Sequence, residues 1–564
     1  MAMVVKMEMS GRLRSDQALM AVFVTALTVM TLVGVAAGGD GWAQATRPAA
    51  AAFTGVLTFH NDNARDGVNS LETVLTPENV NSAQFGKVFS YPVDGYVYAQ
   101  PLYIPGVKIP RNGVHNVVYV ATEHDSVYAF DADGLVSTPL WQRSFINPAM
   151  GVTSVPSSDT GTDDITPEIG ITSTPVIDPT GGTLYVVAKT KVVDAETDQV
   201  SYEQKLHALS LATGAEKLGG PLLIDPLMHG TGAGSIDGLI PFNALRQNQR
   251  AGLLLSDGVI YLAFASHGDN PPYHGLVIAY GAAHLGKPAV FDDTPNGSDG
   301  GIWQSGNGPA ADAQGRIYVA SGNGTFDFNQ GGPDLGDSII KLRFSLFSGF
   351  SVETYFTPYN QASLSSNDVD FGDSGVLLLP DQNTARVHLA VTAGKDGVIY
   401  LVNRDKMGGY NPSNDDQIVQ ALSGPFSSGV WAVPAFYNDT MYLCAQFDFL
   451  KGLRLSSGQF PSTANMETPV VFDYPGTSPS ISANGSQDVI VWALNDGGYA
   501  SRNPTVLYAF DSNLNELYDT TQASANRDQA GGAVKFTVPT IANGRVYVGT
   551  ETELDVYGLL PSRG

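Results

Sequence analysis

The chain has 564 residues, 43 % of them hydrophobic and 62 of them glycine, with 30 Lys and Arg against 55 Asp and Glu for a formal net charge of −25. That apolar content supports a packed core and argues against a disordered chain. The acidic field repels phosphate backbones and excludes nucleic-acid binding through a basic surface.

At the N-terminus, Lys6, Arg12 and Arg14 precede an uncharged apolar run from Ala18 to Ala37, and Ala43-Gln44-Ala45 follows. A basic start, an apolar run and a small-x-small triplet make residues 1–45 an expected bacterial signal peptide, cleaved near Ala45. The mature chain, 46–564, is then expected in the periplasm or outside the cell. The run is also long enough to span a bilayer, so an uncleaved anchor is the alternative. The stretch GVLTFHNDNARDG from Gly55 is expected to be the first mature strand and to pair into the last repeat.

Beyond it, a short strand of the form x-[IV]-Y-[VL]-x recurs. In chain order the copies begin at Val117, Thr183 with Leu206, Val259 with Gly275, and Arg316 with Ser338. They continue at Val387, Thr440, Val489 with Val506, and Arg545. Eight copies across residues 46–564 make about 65 residues per unit. Each is rich in Val, Ile and Tyr, bounded by Gly, Asn and Asp turns, and lacks a helical period. One small four-stranded sheet cannot bury both of its faces, and stacking such sheets radially around an axis solves this. The expected fold is all-β: a single eight-bladed β-propeller of four-stranded antiparallel sheets over 46–564, with seven blades as the nearest alternative. Cys444, in TMYLCAQF, is the only cysteine. An internal disulfide, a C-x-x-C-H haem attachment and a cysteine zinc site are therefore ruled out, and a small buried hydrophobe is expected there.

The pairing LYVVAKT…LHALSLATG resembles the repeat of the quinoprotein alcohol dehydrogenase family, x-[VI]-Y-[VI]-x…L-x-A-[LF]-[DN]-x-x-T-G, and the likeness covers essentially all of 46–564. The resemblance implies an eight-bladed propeller with pyrroloquinoline quinone (PQQ) and calcium on its axis. It also implies a set of site residues. Trp303 in GGIWQSGNG resembles the tryptophan floor beneath the quinone. Gly322-Asn323 follows 20 residues later, and Asn323 resembles the asparagine that offers a neutral oxygen to calcium, a hard cation. In SSNDVDFGDSG, Asp370 before Phe371 resembles the catalytic aspartate that takes the alcohol proton beside the metal. In AGKDGVIYLVNRD, Lys395 resembles the basic residue at the quinone oxygens, where a cation stabilises the reduced cofactor. Asp269 in SHGDNPPYHGLVIAY stands nearest the family's calcium carboxylate, giving Asn323, Asp370 and Asp269 as the implied metal ligands.

Two features depart from the family. Its adjacent-cysteine disulfide cannot form with one cysteine, and its cofactor-pairing arginine has no counterpart in SSDTGTDDITPEIGITSTPVID, which carries Asp159, Asp163, Asp164 and Glu168 instead. The functional expectation is an exported oxidoreductase acting on an alcohol, polyol or sugar and passing electrons to a separate acceptor. The alternative is a non-catalytic propeller that binds a cell-envelope protein or glycan. Trp303 as a blade-packing residue, Asn323 as a turn residue, Asp370 as a solvated loop residue and Lys395 as a hairpin tip stay open at this point.

Overall fold

The computed structural model describes residues 53–561; the expected signal peptide lies outside the described residues. Eight blade sheets follow one another in chain order, with a separate two-stranded sheet, Leu227–His229 and Leu239–Pro241, between blades two and three; each blade has one strand nearest the axis. These innermost strands are Leu102–Ile109, Val176–Asp178, Leu254–Ser256, Ala310–Ala311, Leu377–Leu378, Ala435–Tyr437, Ser480–Asn484 and Thr540–Ala542. Most of them touch the innermost strand of the next blade, and the last touches the first, which closes a ring. The fold is the expected eight-bladed propeller, with mainly antiparallel four-stranded blades. Two short parallel additions, Val68–Asn69 and Gly409–Tyr410, extend blades seven and four.

Local chemistry explains the blades. Val, Ile and Tyr suit half-buried pleated strands, and tight turns such as Asp257-Gly258 and Asn543-Gly544 have positive φ at both residues, the twist that two-residue hairpins need. The recurring tyrosine has a further role. Tyr119, Tyr185, Tyr442 and Tyr547 are buried, and their hydroxyls donate to Leu211 O, Ala282 O, Ser512 O and Ala132 O at 2.7–3.1 Å. Each acceptor lies just past the third strand of the next blade, so one residue type bridges successive blades. In blade seven the corresponding Trp492 is fully buried, and its Nε1 donates to Ser482 Oγ of its own blade instead.

The closing strand differs from the sequence expectation. Phe85–Pro92, not the stretch from Gly55, pairs antiparallel with Glu553–Leu559 and completes blade eight. Phe85 packs there against Trp492, Tyr518 and Tyr557. The stretch from Gly55 instead makes one circuit of the axis. Val56 bonds Tyr103 in blade one, and the carbonyls of Leu57, Asn63, Ala64, Asp66 and Gly67 accept from Ile177, Ala311, Leu378, Phe436 and Ile481. Thr58 Oγ1 donates to Leu253 O beside blade three, and Asn69 Nδ2 to Ile541 O in blade eight. Arg65 is fully buried in this segment and donates to Pro309 O, Thr58 Oγ1 and the carbonyls of Phe59 and Asp62. The polar stretch HNDNARDG is a poor strand but a good supplier of turn and side-chain hydrogen bonds, which is why it plugs the ring and does not extend a sheet.

Candidate functional site

The loops entering the innermost strands meet around a narrow axial cavity of about 170 Å³. Seven of the eight blades contribute one residue each to its wall, four to seven residues before the innermost strand: Tyr98, Arg250, Trp303, Asp370, Trp431, Tyr474 and Phe536. Lys395, Lys535, Asp164 and Asp269 complete it. Trp431 lies edge-on to Tyr474 and Trp303 edge-on to Phe536, and charged groups are interleaved with these rings, with Lys535 Nζ 5.8 Å from the Phe536 ring centroid. Wider clefts of about 540 and 610 Å³ lie elsewhere, but neither gathers an aromatic wall and a buried acid–base pair.

The structure brings all five sequence-nominated residues to this place. Lys395 Nζ lies 2.6 Å from Asp370 Oδ2 and 3.1 Å from Asp368 Oδ1. Asp370 Oδ1 accepts the backbone N–H of Asn323 at 2.9 Å, while Asn323 Nδ2 donates to Asp368 Oδ1 at 3.0 Å. The flanking glycine has a direct cause: a Cβ on Gly322 would sit 2.6 Å from Asp370 Oδ1. Asn323 Oδ1 is buried with no protein partner. Trp303 Nε1 donates to Asp373 Oδ1 at 2.9 Å, and the second oxygen of Asp373 is again unpartnered. Asp269 Oδ1 accepts from the Tyr273 hydroxyl at 2.8 Å and from Ser266 Oγ at 3.1 Å.

Burial dominates the electrostatics. It raises the pKa of Asp370, and the Lys395 ammonium and the Asn323 N–H oppose the rise by favouring the carboxylate. Asp373 and Asp337 are pushed well above the usual carboxylate range by burial, and next by Asp370. For Lys395, burial favours the neutral amine, but Asp370, Asp373 and Asp368 together outweigh it and hold the lysine charged. The site thus sets a buried acid 2.6 Å from a lysine that its carboxylate neighbours keep charged.

Sequence reasoning missed Tyr98, Arg250, Trp431, Tyr474, Lys535 and Phe536. It also found no counterpart of a cofactor-pairing arginine, yet Arg250 and Lys535 reach the cavity from the entrances to blades three and eight. Arg250 is buried, which lowers its pKa to about 10, and donates to Thr172 O at 2.9 Å. Burial also lowers the pKa of Lys535, which lies 5.2 Å from the Tyr499 ring centroid. The available signal was positional: the residues just ahead of the first strand in every repeat.

No protein-family model and no curated protein matches this chain. Solved structures do. A quinohemoprotein alcohol dehydrogenase from Pseudomonas putida HK5 matches with a TM-score of 0.55 at 13 % identity, over 90 % of this chain and 80 % of that one. The quinohemoprotein alcohol dehydrogenase of Comamonas testosteroni gives the same values. A europium-containing methanol dehydrogenase matches with a TM-score of 0.55 at 12 % identity, over 90 % of this chain and 98 % of that one. At such identities the likeness establishes the fold, the quinoprotein-dehydrogenase type of eight-bladed propeller.

Proposed function

We propose that the axial cavity holds a quinone cofactor and that the protein is an exported oxidoreductase acting on an alcohol, polyol or sugar. The Asp370–Lys395 pair carries this reading: an acid and a cation 2.6 Å apart, buried at the axial end of a fold shared with alcohol and methanol dehydrogenases.

The residues present fit PQQ and a hard cation. PQQ bears three carboxylates, and three cations, Arg250, Lys395 and Lys535, line the cavity. Trp303, Trp431, Tyr474 and Phe536 offer apolar surface to its rings. Asn323 Oδ1, buried and unpartnered, with the carboxylates of Asp370 and Asp269, supplies the oxygen donors that calcium prefers. Among the described residues no three His, Cys, Asp or Glu side chains form a metal cage by themselves, so oxygens of the bound cofactor would complete the shell. When bound, PQQ supplies the two-electron acceptor.

The chain's own part is positioning and proton handling. Lys395 and the Asn323 N–H favour the carboxylate form of Asp370 against its burial, and Oδ2 is the oxygen that would accept the hydroxyl proton. Asp373 fixes the Trp303 ring through the indole N–H. Asp370 and Asp373 are buried, and their low-dielectric surroundings strengthen each of these interactions. Electrons leave to a separate acceptor. Reconstitution with PQQ and calcium, followed by dye reduction across alcohols and sugars, tests the reading. Dye reduction that is lost in Asp370→Asn is expected. No reduction with any substrate, together with no cofactor-linked rise in Tm, would remove it and leave an extracytoplasmic binding propeller as the better account.

A further inference from the structure

Away from the axis, blades one and two enclose a cleft of about 320 Å³ lined by Arg143, Phe145, Asn147, Thr190, Lys205 and His207, among others. Its geometry follows from strand register. On strand Val200–Ser210 the side chains of Lys205 and His207 share one face, since strand residues two apart point the same way. Their cross-strand partners are Ala188 and Val186. That face looks onto the outer strand of blade one, Trp141–Ser144, which brings Arg143.

His207 is the unusual group. It is only 4 % exposed, its ring stacks on Phe145 with centroids 3.7 Å apart, and Nδ1 lies 2.6 Å from Glu216 Oε1. Its other nitrogen, Nε2, is buried and has no partner. A neutral ring that donates Nδ1–H to Glu216 leaves a bare lone pair on Nε2, and an unpaired buried polar atom is costly. Arg143 has no protein partner on its guanidinium among the described contacts, whereas Lys205 pairs with Glu203 at 2.5 Å. In a chain with 25 more acidic than basic charges, a free arginine, a lysine and an unsatisfied imidazole around one cleft is an exception that the redox reading does not use.

We propose that this cleft is a binding site for a small oxyanion, held between the Arg143 guanidinium, the Lys205 ammonium and the Nε2–H of a protonated His207. The proton balance is explicit. The free ring is neutral, and burial, with Arg143 and Lys205 nearby, favours that state, while Glu216 opposes it. An anion at Nε2 reverses the balance, so each anion bound takes up one proton from solvent. The charged groups facing the ring are Arg143, Lys205, Glu203 and Glu216. Sulfate or phosphate and the carboxylate of an organic acid share the chemistry the site recognises.

Calorimetric titration of the full chain with sulfate, a dianion throughout this pH range, provides the test at fixed ionic strength. One-to-one saturable binding is expected, at least about tenfold tighter at pH 6 than at pH 8. Proton uptake should be visible as a dependence of the heat on the buffer's ionisation enthalpy. Arg143→Ala, on an exposed strand, should fold normally and weaken sulfate at least fivefold, and His207→Gln should flatten the pH dependence. Parallel titrations with phosphate and succinate separate an inorganic oxyanion from an organic acid as the preferred occupant, and either preference supports the site. Absence of saturable binding by all three anions, or binding that Arg143→Ala and His207→Gln both leave unchanged, overturns it.

Discussion

Replacing Lys395 by Met keeps most of the side chain's volume and removes its charge from a cluster in which Asp370, Asp373 and Asp337 are all buried. At the observed 2.6 Å an effective dielectric of about 20 sets an upper bound of roughly 6 kcal/mol on the attraction. Breaking a buried pair typically costs about 3–5 kcal/mol. Taking about 3 kcal/mol for Asp370 corresponds to roughly two further pKa units upward at about 1.4 kcal/mol per unit. The only favourable partner left on that carboxylate is the Asn323 N–H. A carboxyl whose folded pKa is raised binds its proton in the native state where the unfolded chain has lost it. Its stability is therefore full at low pH and falls as pH rises through the folded value, by at most about 1.4 kcal/mol per pH unit. Urea unfolding of wild type and Lys395→Met at pH 5, 6, 7 and 8 reads this directly. The gap between the two proteins should widen as pH rises, by at most about 3 kcal/mol in all, and Asp370→Asn in the Lys395→Met background should close most of it. Parallel pH profiles, or a gap that Asp370→Asn does not reduce, would refute the claim that Lys395 exists to keep Asp370 ionised. The measurement needs no cofactor, so it separates the electrostatics from the redox reading.

Asp496 is buried and accepts hydrogen bonds from Thr505 and Thr537, with its pKa raised to about 6 by burial against those bonds. Its contribution should therefore cost up to about 3 kcal/mol between pH 4 and pH 6, and Asp496→Asn should flatten that part of the stability curve measured in urea. Phe85→Ala removes a fully buried ring from the closing strand, and a loss of about 3–5 kcal/mol in denaturant unfolding is expected. Arg65→Ala leaves the carbonyls of Pro309, Phe59 and Asp62 without their donor, so a loss of roughly 3 kcal/mol or more is expected. Hydrogen exchange should then quicken in the innermost strands of several blades together, because the plug bonds to all of them.

The architecture was legible because it is repeated. Eight copies of a Tyr-centred strand with glycine-rich turns leave few other ways to bury eight small sheets. The tyrosine itself was visible as a motif, but its reason was not: its hydroxyl partner sits on the next blade, and no spacing within one repeat displays that bond. The closing strand was misassigned because Gly55–Gly67 comes first in the mature chain and carries an apolar start. Its later polar residues suit turns, and Phe85–Pro92 has the better alternation for a sheet edge. Trp303, Asn323, Asp370, Lys395 and Asp269 could be nominated from motif order alone, whereas Arg250, Lys535, Trp431, Tyr474 and Phe536 could not, since each is a single residue in an unremarkable loop.

Periodicity and composition by themselves determined that this chain would form a ring of β-sheets, because the alternation of Val, Ile and Tyr with turn residues is a local property read strand by strand. Only the closed ring decided what the loops do. It brings side chains hundreds of residues apart to one axis, with Tyr98, Arg250 and Trp303 in the same wall as Phe536, and it buries the aspartate that blade five sets beside its own lysine. The convergence of distant blades on one wall belongs to the assembled ring and not to any segment of it.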